Sequence, residues 1–299
     1  MFLKRKFKSL IIWTLMNIKP INRIFSDETY LKMIYRLYFN QKLDLNNPKR
    51  FTEKIQCLKL YNKSQLCTTL ADKYAVKKYI SDLLGERYVI PLIGVYDRFD
   101  DIDFEKLPQQ FVLKTTHDSG GPIICKNKTK FDIQPARKKL SSRLKTNYYY
   151  KGREHPYKNI PPRIIAEEYM EDEYGELRDY KFFCFNGVVK LFKIDSGRYT
   201  HHQANYYNTQ KEYLPFGESH FLFAPPQSGE QIFPDNFDEM IQMAETIAAK
   251  FPFVRVDFYN VKGKIYFGEV TFHPAGGLDK FVPDEWDFHL GDMLVLPNQ

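Results

Sequence analysis

Three groups of residues in this chain have types and spacings that can do chemistry. The first is Lys114-Thr-Thr-His-Asp-Ser-Gly-Gly, where a lysine ending the strand-like run FVLK precedes Ser119, Gly120 and Gly121. An ammonium followed by small residues offers positive charge and open backbone N–H groups, the parts that cradle a polyphosphate. A glycine turn between strands has the same look, and the segment lacks the G-x-x-x-x-G-K-[ST] order of a Walker A loop. The second group is Asp257, Glu269 and Thr271. Alternation along VRVDF sends Arg255 and Asp257 to one face and Val254, Val256 and Phe258 to the other, and within IYFGEVTF it groups Phe267, Glu269 and Thr271. Mg²⁺ is held by one or two carboxylates with phosphate oxygens and water, so this pair predicts a metal shared with a phosphate. A solvated sheet face is the plainer reading, but acids amid Val254, Val256, Phe258, Tyr266 and Phe267 are unexpected there. The third group, Glu167-Glu168-Tyr169-Met170, closes the run RIIAEEYM. Such a strand end can offer backbone groups to a nucleobase edge and an acid to a ribose, or simply be surface acids.

Particular elements are needed to hold these groups. Tyr30, Met33, Ile34, Leu37 and Tyr38 fall at helical spacing, Asn47-Pro48 marks a turn, and Phe51, Ile55 and Leu58 resume the pattern, so residues 27–66 are predicted α-rich. After Asp72 the helix AVKKYISDLLG closes at Gly85, a good C-cap, and leads into the strand YVIPLIGVY. A helix-like or loop stretch over 104–107 precedes the strand FVLKTT, the glycine loop, the strand PIICK and a helix over 134–149. RIIAEEYM follows, then the hairpin DYKFFCFNG and VVKLFKID, whose Asn186-Gly187 turn matches strand twist. Residues 199–234 are less regular. A helix over 235–250 then leads to PFVRVDFYN and IYFGEVTF, joined at VKGK. Helices alternating with short strands predict a mixed α/β (α+β) chain.

Composition excludes several classes. At 299 residues, 43% hydrophobic and 16% aromatic, the chain is long and apolar enough for a globular enzyme rather than a disordered or disulfide-stapled protein. Cys57, Cys67, Cys125 and Cys184 have no C-x-x-C spacing and no cleavable leader precedes them, which predicts reduced thiols in a cytoplasmic protein. Six of the seven net positive charges fall in residues 1–26, from Lys4, Arg5, Lys6, Lys8, Lys19 and Arg23 with no acid. The rest of the chain is nearly neutral, and Arg137, Lys138, Lys139, Arg143 and Lys145 are predicted to line an exposed helix, so no nucleic-acid partner is expected. The apolar run Leu10 to Met16 is far shorter than the roughly 20 residues that span a bilayer. Residues 1–24, with Phe2, Phe7, Ile11, Ile12, Trp13 and Leu15 among lysines, are either an interfacial membrane-contacting helix or a first helix packed on the body.

The order of these groups resembles the ATP-grasp superfamily: Asp72-Lys73 at a helix start, Lys114 before a glycine loop, a hinge strand ending Glu-Glu-Tyr, Asp179 opening the next strand, and R-V-D followed by Glu269. D-alanine:D-alanine ligase is similar in this arrangement, although an asparagine there is Thr271 here. A nearer resemblance is to the TupA-like (teichuronopeptide biosynthesis) ATP-grasp family, from about Asn47 onward. It is carried by NPKRFTEKIQCLKLY, ADKYAVKKYI, IPLIGVYDRFDDIDFEKLPQQFVLKTTHDSGG, RIIAEEY, DYKFFCFNG and RVDFYNVKGKIYFGEVTFHPAGG. The resemblance implies an ATP-grasp fold of two small α/β lobes, residues 71–170 and 171–299, behind a helical N-terminal region, residues 1–70. It implies ATP and Mg²⁺, with Lys73, Lys114, Ser119, Gly120 and Gly121 on phosphates, Glu167, Glu168, Tyr169 and Met170 at the base, and Asp179 at the ribose. Arg255 and Lys114 would be catalytic; Asp257, Glu269 and Thr271 would serve the metal.

The activity implied is an ADP-forming carboxylate:amine ligase acting through an acyl phosphate in bacterial surface polysaccharide, capsule or cell-envelope biosynthesis. Its partners would be a small-molecule or glycan acceptor bearing a carboxylate and an amine or amino-acid co-substrate. It would be cytoplasmic, with peripheral contact at the inner face of the membrane. An ATP-dependent sugar kinase, a glycosyltransferase and a non-catalytic nucleotide-binding assembly factor are the alternatives. The short N-terminal region departs from the full α/β lobe usual in such ligases. His117, Asp118, Arg153, Tyr157, Arg198, His201, His202 and His273 are the polar loop residues available to an acceptor, and each reads equally as a surface or packing residue. The pair His201-His202 has no partner at metal-ligand spacing, so no zinc site is expected.

Overall fold

A computed structural model describes residues 2–18, 20–172, 175, 177–197, 202–225 and 233–297, with side chains from Lys6 onward. Arg198, His201, Lys19 and the side chains of Phe2, Lys4 and Arg5 lie outside the described residues. The chain opens with helices α1 (Phe2–Asn17), α2 (Ile21–Ile24), α3 (Asp27–Phe39), α4 (Phe51–Tyr61), α5 (Gln65–Ala71) and α6 (Ala75–Leu84). Local chemistry sets their limits. Ser26 accepts a hydrogen bond from the Thr29 N–H at the start of α3, Asp27 and Glu28 occupy its first turn, and left-handed Asn40 ends it. Gly85, at φ 115°, ends α6.

Next come β1 (Leu92–Tyr96), β2 (Phe111–Thr115), β3 (Ile123–Cys125), α7 (Ile133–Leu144), α8 (Tyr149–Gly152) and β4 (Ile164–Glu168). The four strands form an antiparallel sheet in the order β1-β4-β2-β3. One face packs Phe111, Leu113, Ile164 and Ala166 against Ala136 and Leu140 of α7.

The rest of the chain gives β5 (Asp179–Phe185), β6 (Val188–Ser196), β7 (Gln203–Asn208), β8 (Tyr213–Leu214), β9 (Gly217–Glu218), α9 (Phe237–Ala248), β10 (Phe253–Val261), β11 (Lys264–Thr271), β12 (Phe281–Val282) and α10 (Glu285–Met293). A six-stranded antiparallel sheet runs β11-β10-β5-β6-β7-β8, and β9 pairs with β12. The irregular stretch expected over 199–234 therefore contains strands. They are short, two to six residues, and too brief to show alternation. Asn186 (φ 50°) with Gly187 (φ 85°), and Lys262 (φ 51°) with Gly263 (φ 78°), turn the two hairpins, the conformation that suits strand twist.

The largest core lies on one face of this second sheet. Phe182, Phe192, Val254, Val256 and Phe258 meet Phe237, Met240, Ala244 and Ile247 of α9, while α5 and α6 add Cys67, Leu70, Val76 and Ile80. Each such buried side chain contributes about 1.5–3 kcal/mol. All four cysteines are buried free thiols.

Candidate nucleotide and metal site

The opposite face of the second sheet carries ions. Asp257 on β10 faces Glu269 on β11, and Arg255 faces Thr271. Two carboxylates directly opposed across strands repel. Arg255 offsets this as a fork, its Nε 2.7 Å from Asp257 Oδ1 and its Nη2 2.6 Å from Asp257 Oδ2, with Nη2 also 3.0 Å from Glu269 Oε1 and 3.1 Å from Thr271 Oγ1. Burial still pushes the Asp257 carboxyl up, against Arg255 and Lys181. For Glu269 burial acts the same way, but Arg255, Lys73, Lys181 and Lys114 outweigh it and hold the carboxyl below its usual range. The Glu269 side chain keeps 44% of its surface open to the cleft while lying at the cleft floor.

Simple alternation is corrected at one point. Register shifts between Asp257 and Phe258, so Phe267 faces Phe258 in the core instead of standing beside Glu269 and Thr271. Gly268 is the extra residue, and a Cβ there would lie 2.9 Å from the Asp257 carbonyl oxygen, which explains the glycine.

The glycine loop is built on the first sheet. Asp118 organises it: its Oδ1 accepts from the Thr115 hydroxyl at 2.7 Å and the Gly120 N–H at 3.2 Å, and its Oδ2 pairs with Arg143 Nε at 3.0 Å. Arg143 also donates to the Gly121 carbonyl at 2.8 Å. A Cβ on Gly120 would overlap the Arg143 guanidinium, at 0.9 Å from Nη2, so glycine there admits the clamp. Arg143 thus departs from the expected solvent-facing row. Arg137, Lys138 and Lys139 do face water, and only the fold brings this one arginine back over the loop.

Four lysines approach the same space. Lys73, just ahead of α6, donates to the Asp118 carbonyl, and burial lowers its pKa despite Glu269 and Asp118. Lys114 on β2 and Lys77 on α6 hold Glu167 between them, at 2.6 and 2.5 Å. Burial alone would raise the Glu167 carboxyl, but these two ammonium groups keep it low. Lys181 on β5 pairs with Asp179 at 2.7 Å and Asp195 at 2.8 Å and stands 3.9 Å from Asp257. The sequence reading missed Lys77 and Lys181, although each carried a signal: Lys77 is one helical turn from Lys73, and Lys181 shares a strand face with Asp179.

These elements enclose one cavity of about 970 Å³. Lys73, Lys114, Ser119, Gly120, Gly121, Glu167, Glu168, Tyr169, Met170, Asp179, Asp257 and Glu269 all line it, together with Lys77 and Lys181; Arg255 and Thr271 do not. Val76, Val89, Ile90, Val112, Ile124 and Phe267 give it an apolar wall fit for a flat base. A bridge between Val89 and Phe267 ties the segment before β1 to β11. Among the described residues no group of three or more His, Cys, Asp or Glu is placed to hold a metal unaided. Asp257 with Glu269 fits Mg²⁺ only as a pair that shares the ion with phosphate oxygens, and the Thr271 hydroxyl is engaged by Arg255.

The ionic strip continues past the cavity. Lys193 binds Glu218 at 2.7 Å, and Tyr206 donates to the same carboxylate at 2.7 Å. The acceptor candidates scatter. Arg153 is buried, pairs with Asp27 at 3.1 Å and lies over Tyr30, so it joins helices. His117 is buried with Nε2 3.2 Å from the Arg143 carbonyl. His273 faces Glu154 at 3.5 Å, and burial lowers its pKa. Tyr157 is pushed well up by burial and by Glu154 and Glu269. His202 stands 3.9 Å from Asp195.

The sequence profile of the TupA-like ATPgrasp family matches residues 53–295. No curated protein matches the chain. Among solved structures, D-alanine-D-alanine ligase from Helicobacter pylori is 14% identical, with 83% of this chain and 70% of that chain covered and a TM-score of 0.42. The same enzyme from Bacillus anthracis complexed with ATP is 16% identical, with 77% and 67% covered and a TM-score of 0.42. L-amino acid ligase from Bacillus licheniformis is 11% identical, with 85% and 57% covered and a TM-score of 0.44. With a mixed helix–sheet fold, a two-sheet cleft and a profile match over most of its length, the chain belongs to the TupA-like ATP-grasp family.

Proposed function

We propose that the protein is an ADP-forming carboxylate:amine ligase that uses ATP and Mg²⁺. The observation that carries this is Asp257 facing Glu269 on the floor of the cavity that Lys73 and Lys114 also line. Lys73, Lys114 and the loop Ser119–Gly121 suit the phosphates, Glu167 to Met170 the base, and Asp179 the ribose. Asp257 and Glu269 would hold Mg²⁺, which when bound neutralises charge on the phosphate oxygens.

In the proposed reaction a carboxylate oxygen of the acceptor attacks the γ-phosphorus and ADP leaves, giving an acyl phosphate. An amine then attacks the acyl carbon, phosphate leaves and the amine loses its proton. Arg255, behind the cavity lining, would act through Asp257 and Glu269, whose carboxylates it holds in place. Family membership supports the use of ATP. The resemblance drawn from the sequence suggests a substrate from bacterial surface polysaccharide synthesis, such as a sugar acid joined to an amino acid.

ADP release in the presence of ATP and Mg²⁺, screened over sugar acids with amino acids, tests this reading. A productive pair should release ADP and phosphate in step. A phosphorylated hydroxyl acceptor would make the protein a kinase, and protection by Mg-ATP against thermal unfolding without turnover on any pair would favour a binding factor.

A further inference from the structure

The N-terminal helix is used on one side only. Leu15 is 5% exposed and, with Ile11 and Met16, packs into the cluster of Tyr30, Leu31 and Ile34. On the other side Phe7 is 66% exposed, Leu10 58% and Trp13 57%. Successive steps of three residues keep these within roughly 120° of helix circumference, with Lys6 on the same sector. Ile24, at the end of the adjoining α2, is 71% exposed next to Arg23. Large apolar side chains grouped this way are uncommon on a surface that stays in water.

Charge identifies the occupant. The first 26 residues hold six basic residues and no acid, whereas the rest of the chain is nearly neutral. No helix among the described residues is long and apolar enough to cross a membrane. We propose that the outward face of α1, with Phe7, Leu10 and Trp13 as apolar anchors and Lys6 among them, docks the protein on an anionic lipid surface. The helix would lie in the headgroup layer with its apolar face about 5–10 Å deep, while Leu15 and Ile11 keep it fixed to the body. Trp13 is suited to that depth, because an indole is amphipathic. Docking does not depend on the reaction catalysed at the cleft, which lies on other elements.

The chain has two tryptophans, and Trp286 stacks on Phe216 at 3.9 Å, so a Trp286→Phe protein reports from Trp13 alone. Its emission should shift to the blue with phosphatidylglycerol vesicles, brominated lipid should quench it, and phosphatidylcholine vesicles should do far less. Each basic residue beside an anionic surface strengthens binding about fivefold, so Lys6→Glu should weaken it roughly fivefold or more. Leu10→Ser with Trp13→Ser, followed by co-sedimentation, should abolish binding while leaving thermal protection by Mg-ATP unchanged. Absence of vesicle binding by the full chain, or equal binding to neutral vesicles, would overturn the proposal. So would concentration-dependent self-association that the Leu10→Ser, Trp13→Ser protein loses, since the patch would then belong to a second copy.

Discussion

The two faces of the six-stranded sheet come from the same strands and have opposite chemistry. Tyr180, Phe182, Phe192, Ile194, Val254, Val256 and Phe258 lie beneath α9. One residue along each strand, Asp179, Lys181, Lys193, Asp195, Arg255 and Asp257 form a continuous ionic strip. Register makes the strip costly in isolation, because Lys181 faces Lys193 and Asp179 faces Asp195. Diagonal pairing relieves it, with Lys181 reaching Asp195 at 2.8 Å. The apolar face supplies the stability that lets the other face hold buried charge, and buried charge of this kind contributes little net stability of its own.

Crossed substitutions should separate the two roles. Phe192, fully buried with its ring 4.6 Å from that of Phe237, should cost about 3–5 kcal/mol of stability on replacement by Ala. Below its lowered melting temperature, Phe192→Ala should keep its KM for ATP. Glu269→Gln, whose side chain is 44% open to the cleft, should do the reverse, losing about 10²–10³-fold in turnover and the thermal shift from Mg-ATP while unfolding close to the wild-type temperature. Similar losses of stability for both variants would break the comparison.

A smaller effect should come from the loop clamp. Arg143→Met removes the donor to Asp118 and the Gly121 carbonyl, so the KM for ATP should rise about tenfold, the worth of one charge-assisted hydrogen bond, with little change in kcat. Lys138→Ala, on the water-facing side of the same helix, is the control. Equal effects of the two would remove the clamp from the account.

The smallest effect is in pH. Burial opposes ionisation of Asp195 and Glu218, but Lys193 outweighs it for both, with Lys181 adding for Asp195, so both folded carboxyls sit below their ordinary values of 3.8 and 4.5. Groups depressed on folding stabilise fully above their unfolded pKa, and that contribution disappears as pH falls through the folded one. Stability should therefore drop below about pH 4.5, and Asp195→Asn should flatten the acid limb of urea midpoints against pH. An unchanged acid limb would place the acid sensitivity elsewhere.

Local patterns made much of this legible in the sequence. Alternation in VRVDF separated Asp257 from Val256, and the Asn186-Gly187 turn marked the hairpin that carries Lys181. Residue types brought Lys114 and the glycine loop into consideration, and the family resemblance added Lys73. What stayed hidden depends on contacts between distant segments. The ionic strip requires β5 to lie between β10 and β6, an order no single strand encodes. Arg143 reads as one more surface cation until α7 is packed behind β2. The bulge at Gly268 depends on the close approach of the Asp257 carbonyl from the partner strand.

The central claim is that the ionic face activates a carboxylate. Hydroxylamine tests it most directly, since it intercepts an acyl phosphate as a hydroxamate and leaves a phosphate ester untouched. With Mg-ATP and a sugar-acid acceptor, hydroxamate should form in step with ADP and phosphate, and Glu269→Gln should abolish it because one metal carboxylate is gone. AMP and pyrophosphate as products, or a stable phosphate ester with no hydroxamate, would contradict the account.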